Sequence, residues 1–432
     1  MLNDIVVVLL AGGKSSRFWP LTNKMAIPFL GETLISYQIK LLKKIGFTNI
    51  VVVSSEELRP FIKDADVRVV LQEGEGVGLG VLSAQDEIKD KHVLLVIAND
   101  VVEESLFQKV LQAIETNSSQ NLITGYKTEK YFPGGYLVLD GKKVSRIHEK
   151  PGEGNEPSNY VYFAVNYFTD GAKLIKYLEK TKNNDPISSY EEGLSLMMKS
   201  GEVFELLEYD GIWKAFKYPW HVLEVMEYFL RVIKKSQISK SAKVHKTATL
   251  TGPIILEEGV RVMEYAKLVG PLYIGKNTII GNHTLVRSSM IGRNCVVGFS
   301  SDVTRSYICD SCWFHTNYVG DSVVANNVAM GSGAVLANLR LDEEEISSLI
   351  KGQKINSQRV KLGAIIGEGA RIGVGAELMP GVKVGKNSVV GPGVILQSDV
   401  LDHKRCLVKQ SYFVDENATS NIHDRQEFRN KI

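Results

Sequence analysis

The second half of the sequence repeats a six-residue pattern, and this repeat restricts the possible folds more than any other feature. From about residue 240 an aliphatic residue recurs at roughly every sixth position, and glycine often follows it. The pairs are Ile274-Gly275, Ile280-Gly281, Ile291-Gly292, Ile366-Gly367, Ile372-Gly373, Val384-Gly385 and Val390-Gly391. Such a period is typical of a parallel β-helix, in which each hexamer forms one short strand and one turn of a triangular coil. We therefore predict a left-handed parallel β-helix over residues 241–411.

Two segments depart from the repeat. Residues 339–361 (LRLDEEEISSLIKGQKINSQRVK) are polar and charged, which predicts a loop or hairpin that leaves the coil. Excursions of this kind commonly carry function. Residues 412–432 are polar and lack periodicity, so we predict a tail there.

The first half of the sequence alternates apolar runs with helical periodicity. The apolar runs are residues 5–10, 49–53, 68–71 and 93–97, and segments such as Leu34 to Ile45 lie between them. This alternation predicts an α/β domain with a doubly wound, mostly parallel sheet that is covered on both faces. We place this domain at residues 1–231 and a linker at residues 232–240.

Composition excludes several classes of function. The 51 basic and 49 acidic side chains leave a formal charge of only +2, so no bulk attraction to nucleic acid or to an anionic membrane is expected. The apolar run near the start is too short to cross a bilayer. Four cysteines are too few for a disulfide framework, and we expect a cytoplasmic protein. Cys309-x-x-Cys312 has no second pair, so we expect no structural metal.

A glycine loop follows the first predicted strand. It reads Ala11-Gly12-Gly13-Lys14-Ser15-Ser16-Arg17 and precedes Pro20-Leu21-Thr22. Glycines at the turn from a strand to a helix let backbone N–H groups approach phosphate oxygens, and Lys14 and Arg17 add positive charge. An ordinary tight turn is the alternative, but the following Arg-x-x-Pro-Leu-Thr makes a phosphate site the better interpretation.

This loop resembles the signature of the sugar-1-phosphate nucleotidyltransferases, L-A-G-G-x-G-T-R-x-x-P-L-T followed by P-K. Further segments of that family match in order over residues 1–230, namely Gln72 with Gly76, Asn99-Asp100, Gly135, Glu149-Lys150-Pro151, Trp213 and Tyr218-Pro219-Trp220. The resemblance implies attack by a sugar-1-phosphate on the α-phosphorus of a nucleoside triphosphate. Gln72 suits a pyrimidine base, so UTP or dTTP is expected.

The resemblance also implies a role for each matching residue. Arg17 and Asp100 are expected to be catalytic, and Asp100 is expected to bind Mg²⁺. The expected nucleotide-binding residues are Ala11, Gly12, Gly13, Lys14, Gln72 and Gly76, and the expected sugar-phosphate residues are Gly135, Glu149 and Lys150.

Three departures from the family pattern concern the same site. Ser15-Ser16 replaces the usual Gly-Thr, Ile27 replaces the phosphate-binding lysine, and Ala215 stands where the second metal carboxylate is expected. Lys24 and Lys217 are candidates to replace the lost charge, although either could instead be a solvated surface lysine.

The β-helix carries a second candidate site. His315-Thr316-Asn317-Tyr318-Val319-Gly320-Asp321 and Ala337-Asn338-Leu339-Arg340 are similar to segments of the bifunctional enzymes that acetylate glucosamine-1-phosphate and then uridylylate it. The resemblance implies His315 as the base of an acetyl-CoA-dependent transfer, Tyr318 and Asn338 as substrate-binding residues, and a homotrimer. A structural role or a trimer contact is the alternative for His315. Asp342-Glu343-Glu344-Glu345 replaces the lysines that follow in that family.

The sequence leaves three functional hypotheses. The chain is a bifunctional enzyme, or it is a degenerate paralogue that binds a sugar nucleotide and assembles with an active relative, or only one half is catalytic. Resemblance over the whole chain favours the enzyme, whereas Ile27, Ala215 and Glu344 favour the degenerate paralogue.

Overall fold

The computed structural model describes residues 4–116, 119–186, 188–417 and 425–431. Residues 1–3, 117–118 and 187 of the predicted α/β domain, and residues 418–424 and 432 of the predicted tail, lie outside the described residues. The α/β class and the left-handed β-helix predicted from the sequence are both confirmed.

The α/β domain is built on one large mixed sheet. Its strands are β1 Ile5–Leu10, β2 Pro28–Phe29, β3 Glu32–Thr33, β4 Ile50–Ser54, β5 Arg68–Leu71, β6 His92–Ile97, β7 Asp100–Val102, β8 Asn121–Lys127, β9 Gly135–Asp140, β10 Lys143–Glu149, β11 Tyr160–Phe168, β12 Phe204–Tyr209 and β13 Trp213–Ala215. Nine of them form the sheet in the order β5-β4-β1-β6-β11-β8-β12-β10-β9. Strands β5, β4, β1 and β6 are mutually parallel, whereas β11 runs antiparallel to both β6 and β8.

Helices cover both faces of this sheet. They are α1 Leu34–Ile45, α2 Val77–Ser83, α3 Gln85–Ile88, α4 Glu104–Thr116, α5 Gly171–Thr181, α6 Ser189–Lys199 and α7 His221–Arg231, with 3-10 helices at Lys24–Ala26 and Arg59–Phe61. Val7 and Leu9 of β1 enter one core cluster, and Val6 and Val8 enter the other. Burial on both faces explains why this strand is a continuous apolar run.

The β-helix has three faces, and each face is a parallel sheet to which successive coils contribute one strand each. One face contains Gln237–Ile238, Ile254–Leu256, Leu272–Ile274, Met290–Ile291, Tyr307–Ile308, Val323–Val324, Ile365–Ile366 and Lys383–Val384. The second contains Lys243–Val244, Arg261–Val262, Ile279–Ile280, Val296–Val297, Trp313–Phe314, Ala329–Met330, Arg371–Ile372, Val389–Val390 and Arg405–Cys406. The third contains Thr249–Thr251, Lys267–Val269, Leu285–Arg287, Asp302–Thr304, Tyr318–Gly320, Val335–Leu336, Glu377–Leu378 and Ile395–Leu396. The repeated aliphatic residues fill the coil interior.

The excursion from the coil contains an antiparallel hairpin. Its strands are Ser347–Ile350 and Gln353–Asn356. The acidic run Asp342 to Glu345 is exposed, so these carboxylates face water. In the tail, a short helix spans Arg425–Arg429.

The two domains share a continuous apolar core. The ring of Phe29 lies 5.5 Å from that of Tyr307, whose hydroxyl donates to the carbonyl oxygen of Pro28 at 2.5 Å. Ile346 and Ile350 of the excursion belong to the same core cluster, and Arg359 pairs with Glu227 of α7 at 3.2 Å. The segment that follows the glycine loop is therefore fixed against the β-helix.

Among the described residues, none of the helices has the length and apolar character needed to cross a membrane.

Truncation of one interior isoleucine tests the coil core. Ile291 is fully buried, so Ile291→Ala is expected to lower the free energy of unfolding of the β-helix by about 2–5 kcal/mol, through lost burial and a new cavity. Ile395 is 60% exposed, and Ile395→Ala is the matched control. Urea titration followed by circular dichroism checks this, and equal midpoints for the two variants would contradict the packing described.

Candidate active sites

The glycine loop lies beside a cleft of about 230 Å³ in the α/β domain. The cleft is lined by Gly12, Gly13, Lys14, Ser15, Ser16, Arg17, Phe18, Lys24, Gln72, Gly74, Glu75, Gly76 and Lys217. Most of the predicted nucleotide-binding residues and the predicted catalytic Arg17 therefore lie together. Ala11 is buried behind them, and its N–H donates to the carbonyl oxygen of Val53 at 2.8 Å.

Gln72 is fixed between the glycine loop and the turn before α2. Its amide nitrogen donates to the carbonyl oxygens of Gly74 at 3.2 Å and Gly76 at 3.1 Å. A side chain at Gly12 would collide with the Gln72 amide oxygen. At Gly76 φ is +95° and a side chain would overlap the carbonyl of Pro186, so this turn requires glycine.

The two polar residues after Gly13 behave differently. The exposed Lys14 pairs with Glu75 at 2.5 Å, and this hydrogen bond raises the pKa of the Lys14 ammonium. Ser15 adopts a φ of +49°, in the left-handed region that glycine enters most easily, and its buried hydroxyl has no hydrogen-bond partner. The loop therefore keeps the backbone conformation that favours glycine although the glycine is absent.

Asp100 is a buried carboxylate that is not among the residues lining the cleft, although its charge acts on Lys24 and Lys217, which do line it. It begins β7, which pairs antiparallel with β13, and Ala215 lies directly opposite it. Burial raises the pKa of Asp100, whereas the charges of Lys217 and Lys24 act in the opposite direction. The Trp213 indole N–H is close enough to lower this pKa as well, although it makes no hydrogen bond of normal geometry.

Lys24 and Lys217, the two candidates to replace the lost charge, both line the cleft. Lys24 lies on the 3-10 helix that precedes Ile27, and Lys217 follows β13. Burial lowers the pKa of Lys24 to about 8 and also lowers that of Lys217. Ile27 itself is buried in the core.

The predicted sugar-phosphate residues lie on the strand pair β9 and β10. Gly135 is paired with Glu149 in this antiparallel ladder, and the Lys150 N–H donates to the carbonyl oxygen of Gly134 at 3.1 Å. The charges of Glu149 and Lys150 both alter the pKa of Lys217. This places the pair within electrostatic range of the cleft.

Glu191 was not predicted from the sequence. It lies at the start of α6 and lines a cavity of about 430 Å³ with Glu149. One of its carboxylate oxygens is buried without a hydrogen-bond partner, and burial raises its pKa to about 7. The segment Tyr190-Glu191-Glu192 reads as an ordinary helical surface, so no sequence signal distinguishes this carboxyl group.

The predicted substrate-binding residues of the β-helix form one polar network. The Tyr318 hydroxyl donates to the Asn338 amide oxygen at 3.3 Å, and the Asn338 amide nitrogen donates to Asp321 at 2.5 Å. Arg305 donates to both carboxylate oxygens of Asp321, each at 2.7 Å. Arg305 was not identified from the sequence because it precedes the matching segment. This bidentate pairing with Arg305 fixes the Asp321 carboxylate and, through it, the Asn338 amide that donates to Asp321.

The His315 ring has no hydrogen bond to this network among the described residues. It occupies the corner before the strand Tyr318–Gly320, and its side chain is exposed. Phe314 pairs with Val297 and Met330, so Gly298 and Gly331 occupy the corresponding positions in the adjacent coils. A side chain at Gly298 would collide with the His315 carbonyl oxygen, so the backbones of the two coils approach closely there.

The fold and the cleft define a nucleotidyl transferase joined to a hexapeptide-repeat transferase. The family model described as Nucleotidyl transferase matches residues 6–214, and the model described as Bacterial transferase hexapeptide (six repeats) matches residues 363–397.

Curated relatives share this domain order over nearly their whole length. The bifunctional sugar-1-phosphate nucleotidylyltransferase/acetyltransferase of Sulfurisphaera tokodaii is 32% identical over 91% of this chain and 97% of its own. The bifunctional protein GlmU of Methanococcus vannielii is 30% identical, and that of Methanocaldococcus jannaschii is 28% identical, each over 91% of this chain and 95% of its own. The chain belongs to the family of bifunctional sugar-1-phosphate nucleotidylyltransferase/acetyltransferases. The resemblance stated from the sequence is thereby confirmed.

Alanine at Gly12 tests the packing of the glycine loop. A methyl group there collides with Gln72, so Gly12→Ala is expected to lower the free energy of unfolding by about 1–3 kcal/mol in the absence of nucleotide. Gly13 has open space around the same position, and Gly13→Ala is the matched control. Thermal unfolding without ligand measures both, and equal stability would show that Gln72 is not held against Gly12.

Glu191 is expected to make stability depend on pH. Its folded-state pKa of about 7 lies above the unfolded value near 4.5, so the folded state binds the proton more tightly. Stability from this group is therefore full below about pH 4.5 and is lost as pH rises to about 7. Glu191→Gln should match the wild type near pH 4.5 and exceed it near pH 8, by up to about 3 kcal/mol.

Denaturant titrations at the two pH values measure this difference. Glu192→Gln is the control, because hydrogen bonds from Ser188 and Asn184 lower the pKa of Glu192 instead. A pH-independent difference between wild type and Glu191→Gln would contradict the assignment.

Proposed function

We propose that the chain carries out two transfers on an amino-sugar-1-phosphate. Residues 241–411 acetylate its amine with acetyl-CoA, and residues 1–231 couple the resulting sugar-1-phosphate to UTP or dTTP. The observation that supports this most directly is the convergence of the glycine loop, Arg17 and Gln72 on one cleft. The family to which the chain belongs contains enzymes named for both transfers.

In the nucleotidyl step, the chain positions two anions for direct displacement. An oxygen of the sugar phosphate attacks the α-phosphorus, the bond from that phosphorus to the bridging oxygen breaks, and pyrophosphate leaves. Gly12, Gly13 and Arg17 are proposed to hold the triphosphate, and Lys150 to hold the sugar phosphate. Positioning and charge neutralisation provide the rate enhancement, since no covalent intermediate is needed.

The predicted Mg²⁺ is assigned to the nucleotide substrate. Among the described residues, no group of three or more His, Cys, Asp or Glu side chains could hold a metal ion. Asp100 is one buried carboxylate facing Ala215, with two lysines in electrostatic range. This donor set does not fit a divalent ion that resides in the protein. Any Mg²⁺ therefore enters on the phosphate oxygens, and no step is assigned to a protein-held ion.

In the acetyl step, the amine nitrogen attacks the thioester carbonyl carbon, the carbon–sulfur bond breaks and the thiol of CoA leaves. His315 is proposed to accept the proton that the amine loses, a task suited to an exposed imidazole. Tyr318 and Asn338 are proposed to orient the substrate. A homotrimer formed through the β-helix belongs to the same proposal and is supported by the match to the hexapeptide-repeat transferases. So does a cytoplasmic location.

The first assay distinguishes an active enzyme from a non-catalytic paralogue. Purified protein is incubated with UTP or dTTP and with glucose-1-phosphate or N-acetylglucosamine-1-phosphate, and pyrophosphate is measured with Mg²⁺ and with excess EDTA. Absence of release from every pair would remove the nucleotidyl activity and leave a binding role.

Two reciprocal variants test the division of labour. His315→Ala is expected to lower the rate of acetyl-CoA consumption with glucosamine-1-phosphate by about 10²–10⁴-fold, and to leave pyrophosphate release unchanged. Gln72→Ala should give the reverse pattern. His283→Ala is the matched control, because His283 is also an exposed histidine at a coil corner. Acetyl transfer unaffected by His315→Ala would remove that residue from its role.

A further inference from the structure

Two lysines outside the glycine-loop motif, Lys24 and Lys217, line the cleft. We propose that Lys24 and Lys217 hold the triphosphate and supply the charge that a protein-held metal ion would otherwise supply. This inference rests on the proposed nucleotidyl function and specifies how that site binds its nucleotide. It predicts that nucleotide binding persists without a divalent ion.

The pairing of β7 with β13 supports this arrangement. Ala215 is the direct cross-strand partner of Asp100, so no carboxylate lies opposite it. Two residues further along the chain, Lys217 enters the same cleft. The ammonium group of Lys217 is thus within electrostatic range of Asp100, whose cross-strand partner carries no carboxylate.

Lys24 also lines the cleft. The buried Ile27 provides no charge, but the 3-10 helix Lys24–Ala26 carries a lysine one turn earlier. The Asn23 side chain caps this helix by accepting from the Met25 N–H at 3.0 Å. The backbone that presents Lys24 is therefore fixed before any ligand binds.

Lys217 is fixed as well. Its ammonium lies 4.6 Å from the centre of the Phe132 ring, and its backbone N–H donates to the carbonyl oxygen of Ala215 at 3.1 Å. A cation over an aromatic face is stabilised electrostatically. This contact orients the lysine even though neighbouring cations repel it.

The cations of the cleft repel one another in the unliganded chain. Arg17 lowers the pKa of both Lys24 and Lys217, and Lys217 lowers that of Lys24. The carboxylate of Asp100 opposes this effect at both lysines, and Glu149 also opposes it at Lys217, whereas Glu75 is paired with Lys14. A polyanion is the ligand that relieves this repulsion, because ammonium groups donate charge-assisted hydrogen bonds to phosphate oxygens.

Nucleotide affinity without metal is the direct test. Binding of UTP and of dTTP to the full chain is measured by isothermal titration calorimetry in excess EDTA and again with Mg²⁺. Wild-type affinity in EDTA is expected to lie within about tenfold of that with Mg²⁺, and Lys24→Met and Lys217→Met should each weaken binding in EDTA by about 10-fold or more. Lys24→Arg and Lys217→Arg retain the charge and should restore most of it.

Lys214→Met is the matched control, because Lys214 lies on β13 but does not line the cleft. Its affinity should equal that of the wild type. Thermal unfolding without ligand separates binding from folding. Removing one of several mutually repelling cations should not lower the melting temperature, so weaker binding by a Met variant of unchanged stability supports the proposal.

A gain of metal dependence provides the converse test. Ala215→Asp combined with Lys217→Met places a carboxylate opposite Asp100 and removes the ammonium. Affinity of this double variant should rise with added Mg²⁺ by about 10-fold or more, since carboxylates together with phosphates are the ligands that Mg²⁺ prefers.

The outcomes separate this inference from the proposed function. Pyrophosphate release by the wild type, combined with unchanged nucleotide affinity in Lys24→Met and Lys217→Met, would overturn the inference and leave the function standing. Loss of both pyrophosphate release and nucleotide binding in EDTA would also overturn the inference and leave the function standing. Nucleotide binding in EDTA that depends on both lysines, without release from any substrate pair, would overturn the nucleotidyl function and keep the inference about binding.

Discussion

The contact between residues 19–31 and the β-helix is the constraint on which the nucleotide cleft depends. This segment follows the glycine loop, carries Lys24 and ends against the coil. Trp19 donates to Asp402 at 2.9 Å, Arg293 donates to the carbonyl of Gly31 at 3.1 Å, and Tyr307 holds Pro28. One wall of the cleft is therefore positioned by residues some 260 to 380 positions further along the chain.

The charges at the nucleotide cleft differ from those of the family pattern. The carboxylate at Asp100 is retained, its expected partner is replaced by Ala215, and two lysines reach the same space. Burying several like charges around one carboxylate is unfavourable unless an anion completes the set. The unliganded cleft is thus arranged for a polyanion, and the substitutions at Ile27 and Ala215 belong to one consistent electrostatic change.

Much of this could be predicted from the sequence, because the relevant patterns are local. The apolar run of β1 and the hexapeptide repeat reflect which residues are buried, and the residues of the glycine loop are contiguous in the sequence. Other features depend on distant contacts. The resemblance named Ala215 and Lys24 as candidates, but the pairing of Ala215 with Asp100 joins strands more than 100 residues apart, and the 3-10 helix that carries Lys24 has no local signature. Glu191 and Arg305 are placed by packing and by coil stacking, which no single segment reveals.

The shared core between the domains also limits how such a protein can diverge. Phe29 and Tyr307 pack together, and Met290 accepts from the Leu30 N–H at 3.4 Å, so the coil surface and the loop segment must change together. An α/β domain transferred onto an unrelated hexapeptide coil would lose the support for its own substrate loop. The two domains are therefore expected to be inherited together, although each carries a separate chemistry.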